Sequence, residues 1–401
     1  MRISTNTIYE GAARITEMQA AAAKTQQQIA SGTRVLTPSD DPIASAKALQ
    51  VTQAQAANEQ LTTNRSTAKT SLSIEDSTLG SVVDVLQRVQ SITVSANSAA
   101  LDNTQRASYA TELKGLYSTL VGIANTQDGT GGYMFAGYSV GTQPFTQTDT
   151  GASYSGDQGQ RMVQVGESRF MALNDSGSAV FENADTGNGT FTTAAGAANT
   201  GSGVAQLGSV TDSTQVTKDT YSINFHKTGD VTTYDVVDAT SGAAVSTGTA
   251  FKDGDTIAFA GVQFDIKGAP ADGDTFSVAP STKVSLFTTI QNLITGLGSG
   301  NSDPVSQAKL SASLIQAGAQ LDSMQTNVLS VRSSIGARLN ELDTLDDIGS
   351  NRALQYSSQL QDLTGVDTVA AASLLALQKQ TLEAAQQSYV IVSKLSLMNY
   401  L

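Results

Sequence analysis

Residues 369–401 read VAAASLLALQKQTLEAAQQSYVIVSKLSLMNYL, and their spacing decides how the rest of the chain is arranged. Steps of three and four from Leu374 pass through Leu377, Thr381, Ala384, Ser388, Ile391, Leu395 and Met398, and all but Thr381 and Ser388 are apolar. A sustained repeat of this kind makes a narrow helical seam, which a lone helix leaves wet and a partner helix covers. The first segment carries the same repeat in Ile8, Ile15, Ala22 and Ile29, with Met18 between them. The two ends of the chain are therefore candidate partners. Helices of about 30 residues held by one narrow seam are marginal in water, so the ends are expected to order fully when neighbouring molecules cover them. This makes Ile8, Ile15, Met18, Ile29, Leu374, Leu377, Ile391, Leu395 and Met398 the candidate assembly interface.

Working outward, the six prolines, Pro38, Pro42, Pro144, Pro270, Pro280 and Pro304, leave residues 43–143 and 305–401 free of helix-breaking rings. The first helix is expected to end at Ser31-Gly32, where glycine takes a left-handed cap at little cost. Asp41 then reads as an N-cap with Pro42 at the first helical position, and Asp303-Pro304 repeats that grammar. Beyond Ile43 a stripe runs through Ala68, Leu72, Glu75, Leu79, Val82, Leu86, Val89, Thr93 and Ala96. A shorter helix presents Tyr109, Leu113, Leu116, Leu120 and Ile123 on one face. On the return arm, Leu286, Phe287, Ile290, Leu293, Ile294 and Leu297 form a broad apolar face. The strongest seam follows in Leu314, Ala317, Leu321, Met324, Val328, Val331, Ile335, Arg338, Leu342 and Leu345, with Arg338 as its exception. Gly349 and Thr364-Gly365 are expected to interrupt before the terminal helix.

The centre is of another class. Of 35 glycines, 23 lie between residues 128 and 280, as do ten of eleven phenylalanines. Tyr221, Ile223 and Phe225 alternate with polar residues, as do Val262, Phe264 and Ile266, while Thr228-Gly229-Asp230 and Thr240-Ser241-Gly242 supply turns. Residues 183–208, low in large apolar side chains, read as an extended loop. The expected fold is mainly α with an all-β insertion: a long antiparallel helical rod formed by the two arms, with a small β domain at its tip. Its parts are a terminal coiled-coil or polymerisation domain (1–40 and 366–401), a helical rod domain (41–132 and 281–365) and an inserted β domain (133–280).

Composition argues against most chemistry. A net charge of -13 disfavours a nucleic-acid groove, which needs clustered Lys and Arg. No run of eighteen apolar residues offers a membrane span, and MRISTNTIYE lacks the apolar core of a secretory signal. With one histidine, His226, and no cysteine, neither a His-rich metal site nor a Cys-His pair can be built. Asp253-Gly254-Asp255 and Asp272-Gly273-Asp274 lack the spaced carboxylates of a calcium loop and read as turns. Asp40-Asp41 reads as capping. No phosphate-binding glycine motif stands at a strand-to-helix junction. No catalytic, metal or cofactor site is expected.

Ser31-Gly32-Thr33-Arg34 followed by Pro38-Ser39-Asp40-Asp41-Pro42 resembles the N-terminal signature of bacterial flagellins and flagellin-like axial proteins. Thr104-Gln105-Arg106 with Glu112-Leu113 is similar to that family's next helix. Gly132-Tyr133-Met134-Phe135-Ala136-Gly137, Tyr154-Ser155-Gly156-Asp157, Val180-Phe181 and the ending Leu395-Ser396-Leu397-Met398-Asn399-Tyr400-Leu401 look like the hook-filament junction branch. One departure is Val366-Asp367-Thr368, where the family often has an aromatic after the Asp. The resemblance implies a structural protein in a ring between hook and filament, seated on hook-associated protein 1 and offering the surface on which flagellin assembles. It further implies export through the growing flagellum by its type III route, with a chaperone holding the C-terminal helix beforehand. The rival readings are a flagellin filament subunit and, from another class, an enzyme or glycan-binding adhesin carried by the β insertion.

Overall fold

The computed structural model describes residues 5–398 apart from 99, 130 and 300–302, with backbone only at 5–8 and 394–398. Among the described residues there are seven α-helices: α1 (Thr5–Ser31), α2 (Pro42–Ala96), α3 (Asn103–Ala124), α4 (Gly177–Phe181), α5 (Leu286–Gly298), α6 (Pro304–Thr364) and α7 (Thr368–Met398). The chain divides into two compact units, residues 1–65 with 343–401 and residues 66–342. The protein is thus mainly α with an all-β insertion.

In the larger unit, α2 and α6 run antiparallel. Arg332 Nε meets Asp76 Oδ1 at 2.9 Å, Ser311 Oγ donates to Asn97 Oδ1 at 3.1 Å, and Gln90 pairs with Asp322 between them. The whole α2 stripe from Ala68 to Ala96 is buried, including Glu75 and Thr93. So are Leu314, Ala317, Leu321, Met324, Val328, Ile335 and Leu342 of α6. Each fully buried Leu or Val contributes roughly 1.5–3 kcal/mol relative to exposure. On α3 the buried line runs through Arg106, Ala110, Leu113, Tyr117, Leu120 and Ala124. It is centred slightly off the expected face because Tyr117 turns inward, its hydroxyl donating to Gly151 O at 2.5 Å. Around Tyr117 gathers an aromatic knot of Phe145, Phe181 and Phe287, with ring centroids 4.9–6.0 Å apart.

The strands begin with two hairpins, β1 (Phe145–Thr148) with β2 (Gly151–Tyr154) and β3 (Met162–Gln164) with β4 (Phe170–Ala172). Then come β5 (Ala184–Asp185), β6 (Phe191–Ala195), β7 (Val204–Ala205), β8 (Ser209–Val210), β9 (Tyr221–Thr228), β10 (Val231–Asp238), β11 (Ala244–Ala250), β12 (Thr256–Phe259), β13 (Val262–Lys267), β14 (Thr275–Pro280) and β15 (Lys283–Val284). One antiparallel sheet has the order β11-β10-β9-β14-β6, and another the order β12-β13-β7 with β8 on β13. Both expected alternations hold: Tyr221, Ile223 and Phe225, and Val262, Phe264 and Ile266, all enter one core with Phe191 and Phe276.

Two expectations are corrected. Residues 183–208 are not a loop throughout, because β6 lies inside them and pairs with β14 from Phe191 opposite Pro280 to Ala195 opposite Phe276. An edge strand needs few large side chains, and Phe191 supplies the one that reaches the core. Gly349 does not interrupt α6, which continues to Thr364. In the smaller unit, Asn58 Nδ2 donates to Gly349 O at 2.9 Å, and a Cβ there would collide with the buried Arg65 guanidinium. That glycine serves close approach rather than helix breaking.

The polar residues singled out in the sequence are held by ordinary contacts. His226 Nε2 lies 3.1 Å from Asp235 Oδ2 across the β9–β10 pair, and the imidazole is exposed. Asp253 accepts the Gly268 N–H at 2.7 Å and Asp255 that of Lys252 at 2.8 Å. Asp274 accepts three backbone N–H groups, from Thr200, Gly201 and Ala271, at 2.8–3.0 Å. These carboxylates brace turns.

Candidate functional site

The candidate site lies in the unit of residues 1–65 and 343–401, where α1, α7 and both connectors meet. Gly32, with φ +72°, ends α1 in the left-handed conformation and swings the chain alongside the α6–α7 connector. Val366 N–H donates to Gly32 O at 3.1 Å, Arg34 N–H donates to Thr364 O at 2.7 Å, and Thr33 bridges Gly365. The Arg34 guanidinium reaches Leu363 O at 3.0 Å and Asp41 Oδ2 at 3.2 Å. Ser31 Oγ closes locally on Gln28 O and Thr33 Oγ1.

The second half of the motif shapes the turn into α2. Asp40 Oδ2 accepts the N–H groups of Leu36 and Thr37, both at 3.0 Å, just before Pro38, while Lys24 of α1 binds Asp40 Oδ1 at 2.5 Å. The Lys24 bond, with the Thr37 N–H next, holds Asp40 down to about 2 from its ordinary 3.8. Asp41 Oδ1 accepts the Ala44 N–H at 3.0 Å, so Asp41 caps α2 with Pro42 at its first position. That N–H, then Arg34, lowers Asp41 as well. The motif residues Ser31, Gly32, Arg34, Pro38, Asp40, Asp41 and Pro42 therefore form one clasp between the two connectors. Asp367, in the stretch that departs from the family pattern, accepts the Val369 and Ala370 N–H groups and caps α7.

Beyond the clasp α1 and α7 pack together antiparallel: Thr33 faces Gly365, and a Cβ on Gly11 would lie 3.2 Å from the Tyr389 ring. On α1 the covered line joins Ile15, Ala22 and Ile29 of the seam read in the sequence to Gly11 and Thr25, with Met18 exposed at its margin. On α7 the covered line is Ala371, Leu375, Gln378, Leu382, Ala385, Tyr389 and Ser393. It is displaced by one residue from the seam read in the sequence. Leu374, Leu377, Thr381, Ala384, Ser388 and Ile391 are all exposed, Leu377 at 56% and Ile391 at 60%. The side chains of Ile8, Leu395 and Met398 lie outside the described residues. Sequence reasoning missed Leu375, Leu382 and Tyr389. Their signal is a second, neighbouring three-four repeat, and Leu374-Leu375 belongs to both.

Helical ends stitched by this clasp, with a β insertion between the arms, define a flagellin-like chain. A family model described as the bacterial flagellin N-terminal helical region matches residues 3–140, and one described as a flagellar hook-associated protein 1 D2-like domain matches residues 194–280. Flagellar hook-associated protein 3 of Escherichia coli K12 is 29% identical over 399 residues, covering 99% of this chain and 98% of the relative. A crystal structure of FlgL from Xanthomonas campestris is 32% identical with a TM-score of 0.72, covering 77% of this chain and 99% of that one. A structure described as the flagellar junction protein FlgL from Legionella pneumophila is 30% identical with a TM-score of 0.70, covering 80% and 100%. The chain belongs to the flagellar hook-associated protein 3 family.

Proposed function

We propose that this chain forms the junction between hook and filament in the bacterial flagellum and nucleates flagellin assembly there, as a structural subunit with no reaction of its own. Membership of the hook-associated protein 3 family carries the role and the extracellular, exported location. The observation that carries the assembly surface is the bare α7 stripe from Leu374 to Ile391 beside a stripe already covered by α1. An exposed apolar line of this length is a surface for another helix. We assign Ile8, Met18, Leu374, Leu377, Ile391, Leu395 and Met398 to the contacts made in the assembled ring, and Ile15 and Ile29, covered in the free subunit, to the α1–α7 pair that presents them, with the clasp fixing the angle at which the ends leave the connectors.

In this reading residues 1–40 and 366–401 polymerise, residues 41–132 and 281–365 form the helical body, and residues 133–280 are the inserted β domain. The partners are a second copy of the chain in the ring, hook-associated protein 1 on the hook side, flagellin on the filament side, and an export chaperone on the C-terminal helix before assembly. The match of residues 194–280 to a hook-associated protein 1 domain supports a place among the axial junction proteins. The test is a gene deletion in the source bacterium, complemented with the intact gene. Short stubs with flagellin spilled into the medium, cured by the intact gene, are expected. Full-length filaments in the deletion strain, or filaments grown from purified subunits of this protein alone, would instead make it a filament subunit.

A further inference from the structure

The facing seams of α2 and α6 within residues 66–342 each carry one charged side chain, Glu75 of α2 and Arg338 of α6, and both end at one polar node. Glu75 is fully buried. Its Oε1 accepts the backbone N–H of Asp175, in the turn before α4, at 2.9 Å. The Asp175 carboxylate receives Arg338 Nη2 at 2.8 and 3.1 Å and Gln160 Nε2 at 2.6 Å. Arg338 Nη2 also reaches Ser334 Oγ at 3.3 Å. Arg161, at the start of the β3–β4 hairpin, donates its backbone N–H to Asn174 Oδ1 at 3.0 Å and pairs with Asp128 at 3.3 Å. The charged groups facing Glu75 are thus Asp175, Arg338 and Arg161, with Asp128 behind Arg161.

The charges at this node already balance without Glu75. Two guanidinium groups, Arg338 and Arg161, meet two carboxylates, Asp175 and Asp128. A third carboxylate charge would stand beside Asp175, with both guanidinium groups already paired to other carboxylates, and among the described residues Glu75 Oε2 has no hydrogen-bond partner to stabilise a negative oxygen. A buried charge in that position costs far more than the neutral acid does. Burial, then the Asp175 charge, raises Glu75 to about 8 from its ordinary 4.5.

We propose that Glu75 is a proton site acting as a latch: residues 66–342 hold one proton there near neutral pH, which keeps the Asp175 turn closed between α2 and α6, and losing it loosens that closure. For an acid raised in the folded state, the native chain keeps a proton that the unfolded chain has released. Stability is therefore greatest below about 4.5 and declines as pH rises toward about 8. Within that window the unfolding constant rises by up to about tenfold per pH unit from this group alone. The window is otherwise nearly empty, because the chain has one histidine, the exposed His226, and no cysteine. Half-buried Glu182, after α4, is the other carboxyl raised by burial, and it serves as a control.

The experiment is denaturant unfolding of the full chain at a series of pH values between about 5 and 8, for the native protein, Glu75→Gln and Glu182→Gln. Expected is a pH dependence approaching one proton in the native protein and in Glu182→Gln, and a flat profile in Glu75→Gln, which above neutrality is more stable than the native chain. A native profile without slope, or a slope that survives in Glu75→Gln, overturns the proposal. If Glu75→Gln does not fold, infrared absorption of the native protein decides: a protonated carboxylic-acid band at pH about 6.5 that fades toward about 9 supports the latch, and its absence refutes it.

Discussion

The stripes Leu314–Leu342 and Leu374–Ile391 have the same three-four spacing, yet the first is buried along α6 except for half-buried Val331 and Arg338, and the second lies bare along α7. The difference lies in what surrounds them. In the unit of residues 66–342, α6 meets α2, and α5 and the strands supply further cover. Among the described residues α7 has one helical neighbour, α1, which covers a single line of it. A heptad repeat announces a seam. It does not say whether the cover comes from the same chain, and the neighbour count of the folded monomer supplies that missing term.

The sharpest way to break this comparison is to put a charge into the buried stripe. Val328 has no exposure, and Val328→Asp should cost roughly 4 kcal/mol or more, enough to collapse the unit it sits in. Thermal unfolding followed by circular dichroism reads this directly. A melting temperature within a degree or so of the native value would mean the stripe is far less tightly closed than described.

Much of this was legible. Buried stripes on α2 and α6 follow from periodicity alone, because a helix flanked by enough chain turns its apolar line inward whatever the topology. Asp41-Pro42 announced the start of α2 because capping is local. The α7 line was misplaced by one residue because Leu374 and Leu375 offer two adjacent repeats, and local spacing cannot choose between them. The covered line is the one that brings the Tyr389 ring against Gly11, where a Cβ would stand 3.2 Å away. The node of Glu75 and Arg338 showed only as two interruptions in apolar seams. Their meeting at Asp175, which lies 100 residues from Glu75 in sequence, is a tertiary fact. Gly349 misled because helix breaking and close packing ask for the same residue.

Gly349 gives the next largest effect. Gly349→Val would push against Arg65, which is buried and ion-paired with Asp346. The expected cost is about 1–3 kcal/mol, as for other overpacked sites, read as a lower denaturation midpoint at unchanged m-value. An effect near zero would show that Arg65 can leave at no cost.

Smaller still is the acid sensitivity of the clasp. Asp40 is held at about 2 against an ordinary 3.8, so its contribution is complete above about 3.8 and disappears as pH falls through about 2. NMR titration of the Asp40 carboxyl should show the lowered midpoint, and Lys24→Met should raise it. An unchanged midpoint in Lys24→Met would remove the α1 contact from the account.

The smallest expected effect on the monomer belongs to the bare stripe, and it tests the central claim most directly. The measurement compares melting of the purified Leu377→Asp, Ile391→Asp double variant with its incorporation into flagella of the deletion strain. Ile15→Asp, on the covered line of α1, serves as the contrast. The account predicts a double variant that melts within about 0.5 kcal/mol of the native protein, leaves the cells with stubs and spills flagellin, while Ile15→Asp also loosens the α1–α7 pair in the free subunit. A double variant that builds normal flagella would contradict the assignment of this stripe to assembly, and one that unfolds like Val328→Asp would place it in the monomer's own core.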